Sequence, residues 1–245
     1  MKNPLTAGRP SSESFALLNA KVKVMRQRQK NMTLSINPKS GEIQVRAPRW
    51  VSKREIDRFL QEQQSWVADG LSRLAPAVPL TEGTCIPFMG QTRVIRHAPE
   101  RSKGVTDDGT YLHVGGDIAT LPVRLRKWLV AYARREASMR ATFYASVVEK
   151  PIARVAVRDM HSRWGSCTAT SGRRGVVAAT LSFNWRLVLA PLHVLDYVVA
   201  HEVAHLIHMN HGADFWKLVE KLMGDYEPAE RWLEQHGARL MRIGV

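Results

Sequence analysis

Cysteine is almost missing from this 245-residue chain: Cys85 and Cys167 are the only two. Two distant thiols exclude a disulfide framework and a cysteine-based zinc site, and they suit a reducing compartment, the cytoplasm. No apolar run approaches 18 residues, so no transmembrane helix and no membrane partner are expected. The opening residues MKNPLTAGRPSSES lack the apolar stretch of a secretory signal. There is no G-x-x-x-x-G-K phosphate loop. Acid is scarce, with 22 Asp/Glu against 36 Lys/Arg and a formal net charge of +14. The excess sits in two blocks, +9 over residues 1–60 and +9 over 121–180, while 61–120 and 181–245 each carry −2. Such blocks suit a nucleic acid or nucleotide partner; the plainer reading is charge that keeps a soluble protein dispersed. At 44% apolar and 24% charged, the composition is that of a globular chain long enough to bury a core.

The pattern predicts an α+β protein: a β-rich N-terminal part, then a compact core mixing strands and helices. Residues 1–14 read as a mobile tail, 15–118 as a β-rich region with one helix, and 119–245 as the core. VKVM, MTLSI and EIQVR place apolar residues two apart, as half-buried strands do, and Asn37-Pro38-Lys39-Ser40-Gly41 predicts a hairpin turn. Ser52 and Glu55 have capping-box spacing, opening a helix over about 53–74. TCIPFMG, TRVIRH and TYLHV read as short strands. A second helix over about 121–148 starts at Pro122, with Leu125, Trp128, Leu129, Tyr132, Met139, Phe143 and Val147 along its apolar side. Strand-like runs at 153–160 and 175–183 follow, joined by a basic loop with Ser171-Gly172-Arg173-Arg174-Gly175. Helices are expected at about 191–208, 212–223 and 227–241.

Residues 201–205 read H-E-V-A-H. On a helix, positions i and i+4 share a face, so His201 and His205 can offer two imidazoles to one ion. Glu202 then stands one residue on, placed to act on a water rather than to ligate. Two nitrogen donors and no redox demand suit zinc. Four of the nine histidines fall within 201–211, and a turn follows the motif. His208 lies about 10 Å up a straight helix from His201, too far for easy convergence on one tetrahedral ion. That leaves His211, just past a turn, as the favoured third ligand, with Glu220 as its rival and His208 as a rim group. Tyr197, one turn before His201, is a candidate to reach the site, or a packing residue. Asp214, three residues after His211, is a candidate to orient that imidazole, or a helix-start acid offsetting the dipole. Arg163-Trp164-Gly165-Ser166-Cys167 on its own reads as a buried Trp beside a turn glycine, with Cys167 a structural thiol.

Together these strings resemble a known family. RWGSC, then LSFNWRLVLAPLHVLDYVVAHEVAHLIHMNHGADFW, then Y-x-x-A-E-R-W-L, are similar to the YgjP-like metallopeptidases, small zincins related to the WLM and SprT-like groups. VKVMRQRQKNMTLSI, EIQVRAP, QQSWV and FMGQ extend the likeness over about residues 20–241. The loop TATSGRRGVV departs from it, being longer and more basic. The resemblance implies one zinc ion on His201, His205 and His211, with Glu202 as general base, and Phe215 and Trp216 packing the next helix beneath the site. It implies a zinc-dependent metallopeptidase that cleaves peptide bonds of a peptide or protein substrate with an activated water. Arg163 joins Tyr197 and His208 as a candidate donor to the developing oxyanion. Related groups act on DNA-attached proteins, which the two basic blocks would suit. Two other functions compete. One is a metal-dependent hydrolase of nucleoside triphosphate phosphoanhydride bonds, with Arg163, Arg173 and Arg174 as a phosphate clamp. The other is a nucleic-acid-associated module with a structural metal.

Overall fold

Alternating apolar residues in the first third of the chain fold as that alternation dictates. The structure, a computed structural model, describes residues 16–17, 20–101, 104–171 and 177–245, without the side chains of 16–17, 169–171 and 177. The expected tail (1–14) and most of the basic loop, including Arg173 and Arg174, lie outside the described residues. The chain divides between Ala75 and Pro76 into two compact units. In the first, a four-stranded sheet has the order β1-β2-β4-β3, formed by Ala16–Leu17 (β1), Ala20–Gln27 (β2), Thr33–Ile36 (β3) and Ile43–Pro48 (β4). The β3–β4 pair is the predicted hairpin. Asn37 Oδ1 accepts from Lys39 N at 2.9 Å, and Gly41 closes the turn at φ +72°, open to glycine at little cost. Val22, Val24, Ile43, Val45 and Ala47 share one face and bury against Ile56, Leu60 and Val67.

Those last three come from two helices, not one. The capping box forms as predicted: Ser52 accepts from Glu55 N, and Glu55 accepts from Ser52 N at 2.7 Å. But α1 (Lys53–Glu62) stops at Gln63, and α2 (Gln64–Ser72) continues from there. Val67 still reaches the core, and α2 presses so closely on β3 that a Cβ on Gly70 would lie 2.4 Å from Ile36 Cδ1.

The second unit opens with a sheet ordered β5-β6-β8-β7, formed by Cys85–Phe88 (β5), Gln91–His97 (β6), Val105–Asp107 (β7) and Tyr111–Val114 (β8). The long helix α3 (Leu121–Val147) follows. Its first half buries Leu125 and Leu129 as anticipated, with Leu121 beside them, but its second half buries Ala133, Ala137, Ala141 and Tyr144. Met139, Phe143 and Val147 are 58%, 61% and 47% exposed. Alanines let the helix lie close on its neighbours, α4 and β9, and that proximity wins over side-chain size.

A three-stranded sheet, order β10-β11-β9, forms from Ile152–Arg158 (β9), Gly165–Ser171 (β10) and Val177–Asn184 (β11). β9 runs parallel to β11, and β10 antiparallel to it. Three helices complete the unit: α4 (Leu192–Ala204), α5 (Ala213–Met223) and α6 (Glu227–Met241). Gly224 ends α5 at φ +82°, and Pro228 lies in the first turn of α6, both as expected. The class is α+β, and no described helix is long and apolar enough to cross a membrane.

Buried polar groups pin the turn before β10. Asn184 is fully buried; its Nδ2 donates to Met160 O at 3.1 Å and Arg163 O at 3.3 Å, and its Oδ1 accepts from Arg186 N at 3.2 Å. Arg186, also fully buried, donates to Asp159 at 2.5 Å and to Ile243 O at 2.9 Å. Removing the Asn184 amide leaves two carbonyls and an N–H without that partner. We expect Asn184→Ala to cost about 2–3 kcal/mol, read as a lower urea midpoint at unchanged m-value; an unshifted midpoint would show that the turn is held elsewhere.

Candidate metal centre

The last described turns of α4 carry the H-E-V-A-H residues. Leu192–Ala204 is apolar on nearly every side, with Val194, Leu195, Val198, Val199, Ala200, Val203 and Ala204 buried. This anchors the helix in the core, so its polar residues are placed by packing rather than by solvent. The helix ends at Ala204 instead of running to 208, and His205 caps it. The chain then turns, with His208 N donating to Ala204 O at 3.0 Å, and re-enters a helix after Gly212.

That turn brings His211 back to the pair. One ring nitrogen from each of His201, His205 and His211 lies within 4.8 Å of the others. His201 Nε2 and His211 Nε2 face each other at 3.1 Å. All three rings rest on Phe215, which is fully buried, with centroids 4.9, 4.7 and 4.7 Å away. Trp216 borders His201 and His211 at 5.8 and 6.0 Å.

The donor set fits a zinc ion. Tetrahedral zinc with Zn–N bonds of about 2.0–2.1 Å spaces its nitrogens about 3.3 Å apart, close to the His201–His211 separation. His205 bonds through Nδ1 to His208 O at 3.0 Å, which leaves its Nε2 lone pair for an ion. His201 Nδ1 is buried with no hydrogen-bond partner among the described residues. Burial, with His205 and His211 adding to it, pushes His201 down to about 4, so the imidazole is neutral at pH 7, as a ligand must be. Burial lowers His205 as well.

Glu202 sits in a dry position, 6% exposed. Burial pushes its carboxyl up to about 7, against the opposing pull of Arg163. The room for it comes from Gly165: a Cβ there would lie 2.4 Å from Glu202 Oε1. The Trp-Gly dipeptide is thus part of the site, with Trp164 packed on Gly237 and its carbonyl accepting from Asn184 N at 2.8 Å. The sequence alone reads Gly165 as a turn glycine and gives Asn184 no role. The one signal was the family-like RWGSC string, since a lone turn glycine says nothing of which carboxylate it faces.

The remaining candidates part company. The Tyr197 hydroxyl donates to Glu230 Oε1 at 3.1 Å, although its ring meets His201 at 5.7 Å. His208 takes part through its backbone carbonyl. Asp214 is 79% exposed and faces Lys217 at 3.8 Å, in the first turn of α5 where an acid offsets the helix dipole. Arg163 stays near enough to act on Glu202. Glu220, the rival ligand, is exposed on α5 and outside the histidine group. Burial, with Glu202 nearby, pushes Cys167 up to about 11, so it stays a thiol.

A family model for the YgjP-like metallopeptidase domain matches residues 30–236. Among curated proteins and among solved structures, nothing matches the chain.

The metal-free protein should show the cost of burying Glu202. Below its ordinary 4.5 the group is protonated in both folded and unfolded chains. As pH rises, the unfolded chain loses the proton first, and stability falls until the folded carboxyl ionises near 7. Glu202→Gln removes this loss. In chelator-treated protein the variant should match wild type at low pH and exceed it by about 3 kcal/mol at pH 8. Denaturant titrations at both pH values check this; equal stability at pH 8 would refute it.

Proposed function

This chain belongs to the YgjP-like metallopeptidase family, and from that premise we propose that it hydrolyses peptide bonds at a single zinc ion held by His201, His205 and His211. The supporting observation is the convergence of three imidazoles, with the buried carboxylate of Glu202 next in sequence to one of them. Zinc supplies Lewis acidity there, polarising a peptide carbonyl and bringing a water's proton loss near neutral pH.

The rest is the work of this chain's own residues. Glu202 is the general base: its carboxylate takes a proton from water and hands it to the departing amine. In the metal-free chain its dry position raises its proton affinity above that of a free carboxyl. Gly165 keeps the carboxylate in that position, and Phe215 and Trp216 fix the planes of the imidazoles. The His208 carbonyl sets which nitrogen of His205 is free. Arg163 is the candidate donor to charge developing on the carbonyl oxygen, since Tyr197 is engaged with Glu230. Family membership speaks for a peptide or protein substrate and carries nothing on nucleic acid, so the proposal stops at the peptide bond.

Wild type and Glu202→Gln, each loaded and assayed for bound zinc, should both hold about one ion per chain. Only wild type should cleave casein, and nucleoside triphosphates offered in parallel should persist. Loss of the triphosphate instead, or no bound zinc, refutes the proposal. Gly165→Ala should retain zinc but lose about 100-fold in kcat, because the carboxylate must give way by a good part of an ångström. Full activity in that variant would free Glu202 from the role assigned.

A further inference from the structure

One open cavity beside this site shares only Arg163 with the mechanism. It encloses about 450 Å³ on the face of the β10-β11-β9 sheet opposite Glu202. Side chains alternate along a strand, so Gly165 and Cys167 turn to the Glu202 side while Ser166 and Thr168 turn to the cavity. Their direct cross-strand partners, Ser182 and Thr180, line it too. Arg158 and Arg163 flank these hydroxyls, and no Asp or Glu is among the lining residues. Ser182 is 7% exposed, and among the described residues its hydroxyl has no hydrogen-bond partner. Neither guanidinium has a hydrogen-bond or ion-pair partner among the described residues, Arg163 acting only at a distance on Glu202.

We propose that this cavity receives an acidic side chain of the peptide substrate, a Glu or Asp close to the bond that is cut; this rests on the peptidase reading above. A guanidinium pairs with a carboxylate through two parallel N–H donors, and hydroxyls donate to the remaining lone pairs. A Lys or Arg side chain would meet two cations and no lining carboxylate, so the pocket discriminates by repulsion as well as attraction. The position suits a side chain of the substrate. β10 is the outer strand of its sheet among the described residues, and a peptide extended along a strand edge offers successive side chains to opposite faces. Arg163 joins the two faces, lining the cavity while its field reaches Glu202.

The test uses the full chain loaded with zinc. Fluorogenic peptides, identical but for one residue that is Glu, Gln or Lys at each position in turn, are offered to wild type. The same peptides, labelled, are titrated into Glu202→Gln by fluorescence anisotropy, which needs no turnover. At one position Glu should exceed Gln by about tenfold in kcat/KM and in affinity, with Lys lowest. Arg158→Gln should erase that ratio and Arg158→Glu should turn it toward Lys; Arg158 is exposed, so both should fold. Cleavage of casein and of the Gln peptides with no Glu preference at any position overturns the pocket and leaves the peptidase reading intact. An Arg158-dependent Glu preference in binding, with no peptide cleaved, keeps the pocket and overturns the peptidase reading. Arg158-dependent binding of tripolyphosphate without a Glu preference also overturns the proposal.

Discussion

A carboxyl group in a dry place governs the architecture around it. Glu202 follows the ligand candidate His201 in sequence and sits at 6% exposure, and burying an ionisable group without a partner is costly. The fold leaves that cost standing and supplies room through absence of bulk. Gly165 offers no side chain where Glu202 needs room, and β10 begins at that glycine. The turn before it is tied by the buried Asn184, which leads into the segment carrying Arg186. Arg186 in turn reaches Asp159 and the C-terminal Ile243. A chain of buried polar contacts therefore runs from the position of one carboxylate to the end of the polypeptide.

The imidazoles obey a different economy. Helix α4 supplies two of them through simple periodicity, and its apolar surface fixes their direction. The third arrives only because the helix stops at Ala204. A helix running on to 208 would have carried His208 up the axis and left His211 remote. The stop also exposes the His208 carbonyl to His205, so one event delivers a third nitrogen and orients the second. Phe215, at the start of α5, then meets all three rings from below.

Much of this was legible in the residues. Local signals with short-range physics carried through: the Ser52–Glu55 box, the turn at Asn37–Gly41, the i, i+4 histidines, and the stop and start at Gly224 and Pro228. Signals that depend on distant partners did not. The strand Gly165–Ser171 has the sequence GSCTATS, with no apolar alternation to announce it; β11 supplies the hydrogen bonds that make it a strand. The buried face of α3 follows its alanines beyond Leu129, since closeness to α4 and β9 is a property of the neighbours. Tyr197 had the right spacing to reach the site, yet Glu230, on a helix 33 residues on, holds its hydroxyl. Nothing at position 165 alone foretells a carboxylate from position 202.

The early end of α4 bears on how an ion would be held. His201 and His211 are ten residues apart, and the chain between them leaves one helix and enters another. An ion bridging them closes a ring in the backbone, as a covalent crosslink would, and so removes freedom from the turn 206–212. Its affinity is then partly a measure of how far that turn is already shaped in the protein alone. Phe215 and the His208 carbonyl already hold His205 and His211 in place from two sides of that turn.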